Sequence, residues 1–357
     1  MEEVAGVTGR LAALRRRRVA VLTCLALAML AAVIVAVALG AVYVPLATSF
    51  RIVLSRLPLL GRMVEATWTP TQETIIVSVR LPRVLLALLV GMGLALAGAI
   101  FQGLFRNPMA DPSIIGSSQG AALGATVAFF FGIKAGLGGL TSVPLFAFAG
   151  SLLAVLAVYA IARVGGRASI ASLLLVGIAL SSFLASIVSL LMVVSEDRMH
   201  NIFFWLMGGL GTGNWDMVLA VLPFIAVGAA AALLLARDLN LLMLGEERAA
   251  QLGLETERFK WTMIAVASLV VGAAVSVSGI IGFVGLMTPH IVRLLTGPDH
   301  RFLIPGSILG GGLFLVLADT LARTVIAPNE LPVGIVTAFF GAPFFIYLLR
   351  RSRQQTA

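Results

Sequence analysis

The chain has 357 residues, of which 60% are hydrophobic and only 11% charged, with a formal net charge of +9. Soluble domains carry about 25% charged residues. A chain this apolar has too little polar surface to cover a water-soluble fold, and its mean hydropathy of +1.06 points to the bilayer. The positive charge does not indicate nucleic acid, because it gathers where apolar runs end. Arg15 to Arg18 directly precede one run, and Arg350, Arg351 and Arg353 directly follow another.

A spanning helix needs about 20 mostly apolar residues. That ruler predicts ten, starting with 19–42. This run exceeds the apolar stretch of a signal peptide, about 7–15 residues, so an uncleaved helix is expected there, behind a basic cytoplasmic segment at 1–18. It contains the single cysteine, Cys24, which excludes a disulfide framework or a thiolate metal site. A long outer loop, 43–82, carries Arg51, Arg56, Arg62, Trp68 and Pro70. Helices 83–105 and 113–133 follow, separated by "FRNPMADP", where Asn107-Pro108 and Asp111-Pro112 force the chain out of helix.

Helices 142–162 and 170–194 come next. The segment "SEDRMHNIFFWLMGGLGTGN" (195–214) is too short to span and too apolar for a free loop. It is expected to re-enter or lie at the membrane face and line a cavity. Helix 215–236 leads to the most charged cytoplasmic loop, 237–260, and helices 261–278, 280–295, 302–323 and 333–349 complete the set. The membrane region thus runs over 19–351, with a cytoplasmic tail at 352–357. Ten spans place both termini on one side. Assigning that side to the cytoplasm puts most of the 25 lysines and arginines there. Five spans per half would invert the halves, a transporter plan, although no internal identity accompanies it.

Catalytic motifs are thin. Gly116, Ser118 and Gly120 form G-x-S-x-G, but a nucleophile elbow needs a strand before the serine, and these residues lie in a run of Gly, Ala and Leu. Small residues at such spacing suit close helix packing in membranes. His200, His290 and His300 lack metal-ligand spacing, and no metal site or cofactor is expected. Asp319 and Arg323, four residues apart near the outer end of the ninth span, are expected to form a local ion pair. Neither lysine, Lys134 or Lys260, sits in a G-K-[ST] phosphate loop. If ATP drives transport, another subunit hydrolyses it, and this chain is not an enzyme.

Four stretches together resemble the FecCD permeases, the membrane subunits of ABC importers for siderophores, haem and cobalamin. They are "RLPRVLLALLVGMGLALAGAIFQGLFRNPMADPSIIGSSQGAALGA" (80–125), "LNLLMLGEERAAQLGL" (239–254), "GFVGLMTPHIVRLLTGPDHRFLIPGSILGGGLFLVLADTLART" (282–324) and "ELPVGIVTAFFGAPFFIYLLRR" (330–351). The resemblance implies an all-α permease of ten spans, acting as a homodimer with the substrate path between its subunits. It also implies two cytoplasmic ATP-binding subunits and an extracytoplasmic binding protein.

By position, the segment coupling to the ATPase falls at Gly245, Glu246, Glu247, Arg248, Ala249, Leu252 and Gly253. It reads as a short amphipathic helix with Ala and Leu on one side. The cytoplasmic gate falls at Asn107 and Met109 with Ser169, Ile170 and Ala171, a loop poorer in hydroxyls than the cobalamin importer's. Arg51, Arg56 and Arg62 are placed to meet acidic lobes of the binding protein. The apolar residues Met199, Phe203, Phe204, Trp205 and Met207 are expected to line the path. The expected cargo is an iron chelate, siderophore or haem, carried across the inner membrane. The alternatives are cobalamin, an ion-coupled secondary transporter, or an intramembrane hydrolase using Ser118.

Overall fold

The structure is a computed structural model, and it describes residues 2–40, 42–56, 61, 64–134, 136–164 and 167–354. In chain order the helices are α1 (Glu2–Ala38), α2 (Leu46–Ser55), α3 (Pro70–Thr74), α4 (Leu81–Leu104), α5 (Ser117–Phe130), α6 (Ser142–Ala162) and α7 (Ile170–Val194). There follow α8 (Glu196–Leu206), α9 (Trp215–Leu234), α10 (Ala236–Leu242), α11 (Glu246–Gln251), α12 (Thr256–Ser278), α13 (Val284–Thr296), α14 (His300–Ala322) and α15 (Val333–Gln354). A π-helical turn, Ile75–Arg80, joins α3 to α4. Among the described residues the only strands are β1 (Arg163–Val164) and β2 (Arg167–Ala168), a two-residue antiparallel pair between α6 and α7. The all-α expectation holds.

Each of the ten predicted spans contains a helix, and among the described residues seven helical stretches are long and apolar enough to cross a membrane. Two are shorter than expected. The run predicted at 113–133 begins as a 3-10 turn, Pro112–Ile115, and Gly116 at φ +85° delays the helix to Ser117. The run predicted at 280–295 starts in non-helical backbone after Gly279, and Phe283 at φ +68° precedes α13. At 1.5 Å per residue, α5 and α13 reach only about 20 Å, against about 30 Å of hydrocarbon. Broken backbone at membrane depth survives only where protein covers it. Here the two breaks cover each other, since a side chain at Gly285 would press on Pro112.

α4 is the axis of the bundle, with 83% of its apolar window buried. It packs on α14 and α13 through bare backbone: a Cβ at Gly91 would collide with the Gly311 carbonyl, and one at Gly98 with that of Gly285. Small residues at such crossings let membrane helices approach closely. α1 is peripheral, with 6% of its window buried. Two guanidiniums answer its last carbonyls, which no helical N–H can reach. Arg80 donates to the Val37 and Ala38 carbonyls, and to that of Val42 just beyond the helix, and Arg323 donates to that of Ala36. The bundle therefore has an end bearing α2, α3 and α8, and an opposite end bearing α10, α11 and the start of α14.

Candidate functional site: a cavity and a surface helix at opposite ends

At the α8 end the chain encloses a cavity of about 600 Å³. Ser195 leads into α8, whose first-turn Glu196 and Asp197 suit a helix N-terminus. Gly208 at φ +70° then turns the chain back across the cavity mouth. Of the five residues expected to line a path, Phe204 and Trp205 line this cavity, and Met199, Phe203 and Met207 do not. Met199 and Phe203 are exposed on other faces of α8. Further wall comes from Phe129, from Val143 and Pro144 of α6, from Ser276 to Ser278 at the end of α12, and from Glu330 to Val333 leading into α15.

The wall also carries charge that local sequence could not assign. Arg83 of α4 donates from Nε and Nη2 to Asp319 Oδ1 at 3.0 and 2.9 Å. Its Nη1 lies 2.9 Å from both carboxylate oxygens of Glu330. The expected Asp319–Arg323 pair is present but looser, at 3.6 Å. Asp319 thus takes its principal partner from α4, far away in sequence, because the α4–α14 crossing sets those two side chains together. Arg83 and Glu330 face the cavity, while Asp319 is 1% exposed behind them.

Near this end, two of the three arginines expected to meet a binding protein are already engaged. Arg51 donates to the Glu65 carbonyl at 3.2 Å. Arg56 pairs with Glu73, which also accepts from the Trp68 indole at 3.2 Å. Arg62 lies outside the described residues.

At the opposite end, α11 stands between Gly245 at φ +111° and Gly253 at φ +91°. A side chain is strained at either position, so glycine sets both corners of the helix. Ala249 is fully buried against the bundle, whereas Glu247 and Arg248 face outward. The expected grouping of Ala and Leu on one side is not what forms. The helix ends at Gln251, and Leu252 beyond it is 61% exposed.

Glu246 turns inward, and its carboxylate lies 2.9 Å from Nζ of the buried Lys260, which also holds Glu257 at 2.6 Å. α10 is fixed separately. Asn240 Nδ2 donates to Asp299 Oδ1 at 2.8 Å, and Asn240 Oδ1 accepts from the His300 backbone at 2.9 Å. Asp299 caps α14, and the forked hydrogen bonds from Arg301, with that from Asn240, hold its carboxyl down at about 2. The α10–α11 segment is therefore moored to α12 through Lys260 and to α14 through Asn240. Both helices run to the other end, where Ser276, Ser278 and Asp319 sit at or behind the cavity wall.

The expected gate residues sit in two turns. Asn107 Oδ1 accepts from the Met109 backbone at 2.9 Å, and Arg106 adopts φ +49°. Ser169 caps α7 by accepting from the Ser172 N–H at 3.0 Å, with Ile170 half-buried and Ala171 exposed. No hydrogen bond joins the two turns among the described residues. The close contact lies further along each segment, where a Cβ at Gly177 of α7 would collide with the Ile114 carbonyl of the 3-10 turn.

The G-x-S-x-G pattern is a packing seam. No strand precedes Ser118, which lies in the first turn of α5. Side chains at Gly120 and Gly124 would collide with the Gly150 and Phe146 carbonyls of α6. Ser118 borders a small cavity of about 260 Å³ whose lining includes Asp111 and Ser113 but no histidine.

A multi-pass helical bundle with a cavity at one end and a short, rigidly moored helix exposed at the other is the architecture of an ABC importer permease. The FecCD transport family model matches residues 27–351, and the chain belongs to that family. It is 50% identical over 280 residues to the cobalamin import system permease protein BtuC of Halobacterium salinarum, covering 78% of this chain and 74% of the relative. It is 44% identical over 281 residues to the hemin transport system permease protein HmuU of Yersinia pestis, covering 78% and 84%. A solved structure of a transporter assigned to the metal-chelate ABC type, in an inward-facing conformation, matches with a TM-score of 0.79. That match has 33% identity and covers 92% of this chain and 98% of the other. Permeases of this kind work with ATPase and substrate-binding partners.

Proposed function

We propose that the chain is the membrane-spanning permease subunit of an ATP-driven importer of a bulky metal chelate, an iron chelate such as haem or a ferric siderophore. It works as a homodimer in the cytoplasmic membrane, with both termini and α11 in the cytoplasm and α8 outside. The observation that carries this reading is the mooring of α11. A rigid helix with Glu247 and Arg248 outward, tied by Lys260 to α12 and by Asn240 to α14, can seat in a partner and pass on its movement. An element biased at one end and acting at the other is how such switching is built.

ATP is hydrolysed on separate subunits bound at residues 245–253. An external binding protein docks near Arg51, Arg56 and Arg62 and releases its ligand toward the aromatic wall at Phe204 and Trp205. The turns at Asn107–Met109 and Ser169–Ala171 narrow the exit on the cytoplasmic side. An ion-coupled mechanism is disfavoured because the charge of Asp319 is answered by Arg83 and Arg323. A second reading, cobalamin as cargo, is favoured by the 50% identity to the relative from Halobacterium salinarum.

Reconstitution of the chain with its cognate ATPase and binding protein in proteoliposomes tests this. Uptake of labelled haem, ferric siderophore and cobalamin is compared with and without internal ATP. ATP-dependent accumulation of an iron chelate supports the first reading and of cobalamin the second. ATP-independent uptake driven by an imposed ion gradient would overturn both.

A further inference from the structure

At the α11 end, a separate cavity of about 470 Å³ opens between α1 and the start of α14, lined by Leu14, Arg15, Arg18, Arg301 and Phe302. Its three guanidiniums face a single carboxylate. Arg18 lies 3.7 Å from Asp299 and Arg301 lies 2.8 Å from it, while Arg15 has no acidic partner among the described residues. The concavity therefore keeps a surplus of two positive charges. Arg18 is held in place by more than charge. Its guanidinium stacks 5.0 Å over the Phe302 ring, and the bare backbone of Gly297, at φ +86°, passes directly beneath it.

The lining is amphipathic along one direction. Leu14 and the Phe302 ring stand beside the guanidiniums. On α1, Val19 and Leu30 lie within about 60° of Arg15 around the helix, and both are at least half exposed. A nucleotide or a peptide would leave that apolar flank uncovered. A phosphodiester with acyl chains would use both parts, placing its phosphate among the arginines and its chains along α1. Basic pockets between helix ends at the membrane surface suit anionic lipid headgroups. α1 packs along α14 and is fixed at its far end by the Arg80 and Arg323 bonds, and this cavity lies at the near end of the same seam. We propose that Arg15, Arg18 and Arg301 form a binding site for the phosphate of an anionic phospholipid, which bridges α1 to α14.

The test is native mass spectrometry and thermal unfolding of the purified chain in mixed micelles containing phosphatidylglycerol, phosphatidylcholine or inorganic phosphate. Phosphatidylglycerol is expected to bind in discrete adducts and raise the melting temperature, and phosphatidylcholine to do neither. Arg15→Gln and Arg301→Gln should each weaken that preference about fivefold, as expected for one basic residue at an anionic surface. Arg16→Gln, outside the cavity, should leave it unchanged. Arg15→Gln carries the test if Arg301→Gln does not fold, because Arg15 is exposed and makes no ion pair among the described residues. Equal binding of both lipids, or an equal loss in Arg16→Gln, would overturn the site. Full displacement of the lipid by millimolar inorganic phosphate would show an anion site without lipid preference, and would overturn it as well.

Discussion

The charged wall at Arg83 gives a prediction whose size follows from burial. Asp319 is 1% exposed and accepts two hydrogen bonds from Arg83, with Arg323 on its other side. Asp319→Ala leaves Arg323 in the interior without its one ion-pair partner among the described residues and removes the inner half of the Arg83 clamp. Breaking a buried pair by deleting one partner costs about 3–5 kcal/mol, mostly the desolvation of the charge left behind. Glu330 is different, because its side chain is 47% exposed. Water compensates there, so Glu330→Gln should cost at most about 1 kcal/mol. A chain of this size loses about 2 °C of melting temperature per kcal/mol. Asp319→Ala should therefore melt roughly 6–10 °C below wild type in detergent, and Glu330→Gln within about 2 °C of it. Fluorescence-detected size exclusion after heating reads both. An Asp319→Ala variant that melts with wild type, or a Glu330→Gln variant that falls as far, would refute the assignment of Asp319 as the buried anchor.

Three further outcomes follow from the same structure. Lys260→Met should let ATP be hydrolysed while transport per ATP falls, with Lys260→Arg restoring it, because α11 loses its tie to α12 through Glu246; an unchanged transport-to-hydrolysis ratio counts against this. Gly120→Val should destabilise strongly, since any Cβ there meets Gly150 and Ala154 of α6, whereas Ser118→Ala should leave uptake intact; the reverse pattern in an uptake assay would revive a chemical role for the serine. Asp299, with its pKa depressed from 3.8 to about 2 chiefly by Arg301 and then by Asn240, stabilises the fold above its unfolded pKa, and that contribution is lost as pH falls through about 2. The melting difference between wild type and Asp299→Asn should accordingly be full at pH 5 and vanish toward pH 2; a difference independent of pH would contradict the ionic origin.

Much of the architecture is legible in sequence because membrane helices announce themselves by length and apolarity. The run at 170–194 matches α7 residue for residue. The shortening of α5 and α13 is less legible. Pro112 and Gly116 mark the first break, but no local signal marks Phe283, which adopts a positive φ with its ring packed against the bare backbone of Gly341. The segment 195–214 reads correctly as apolar and non-spanning, yet sequence cannot say which of its residues turn toward the cavity. Phe204 and Trp205 do, and Met199 and Phe203 do not. The largest omission is long-range pairing. Asp319 has an arginine four residues away, which satisfies a local reading, while its closer partner Arg83 comes from another helix. Asn240 and Lys260 are missed for the same reason, since their roles exist only once α10 and α11 fold back on α12 and α14.

The central claim, that this permease is driven by a separate ATPase seated on α11, is tested most directly by mild-detergent purification of the tagged chain from its own host, with partners identified by mass spectrometry. A Glu247→Arg, Arg248→Glu variant is run beside it, since these two side chains face outward whereas Glu246 is held by Lys260. The account predicts an ATP-binding subunit retained by the wild type and lost from the variant, with both chains melting alike. An ATPase retained equally by both would move the docking site away from α11. No ATPase with the wild type under any condition would contradict the claim itself.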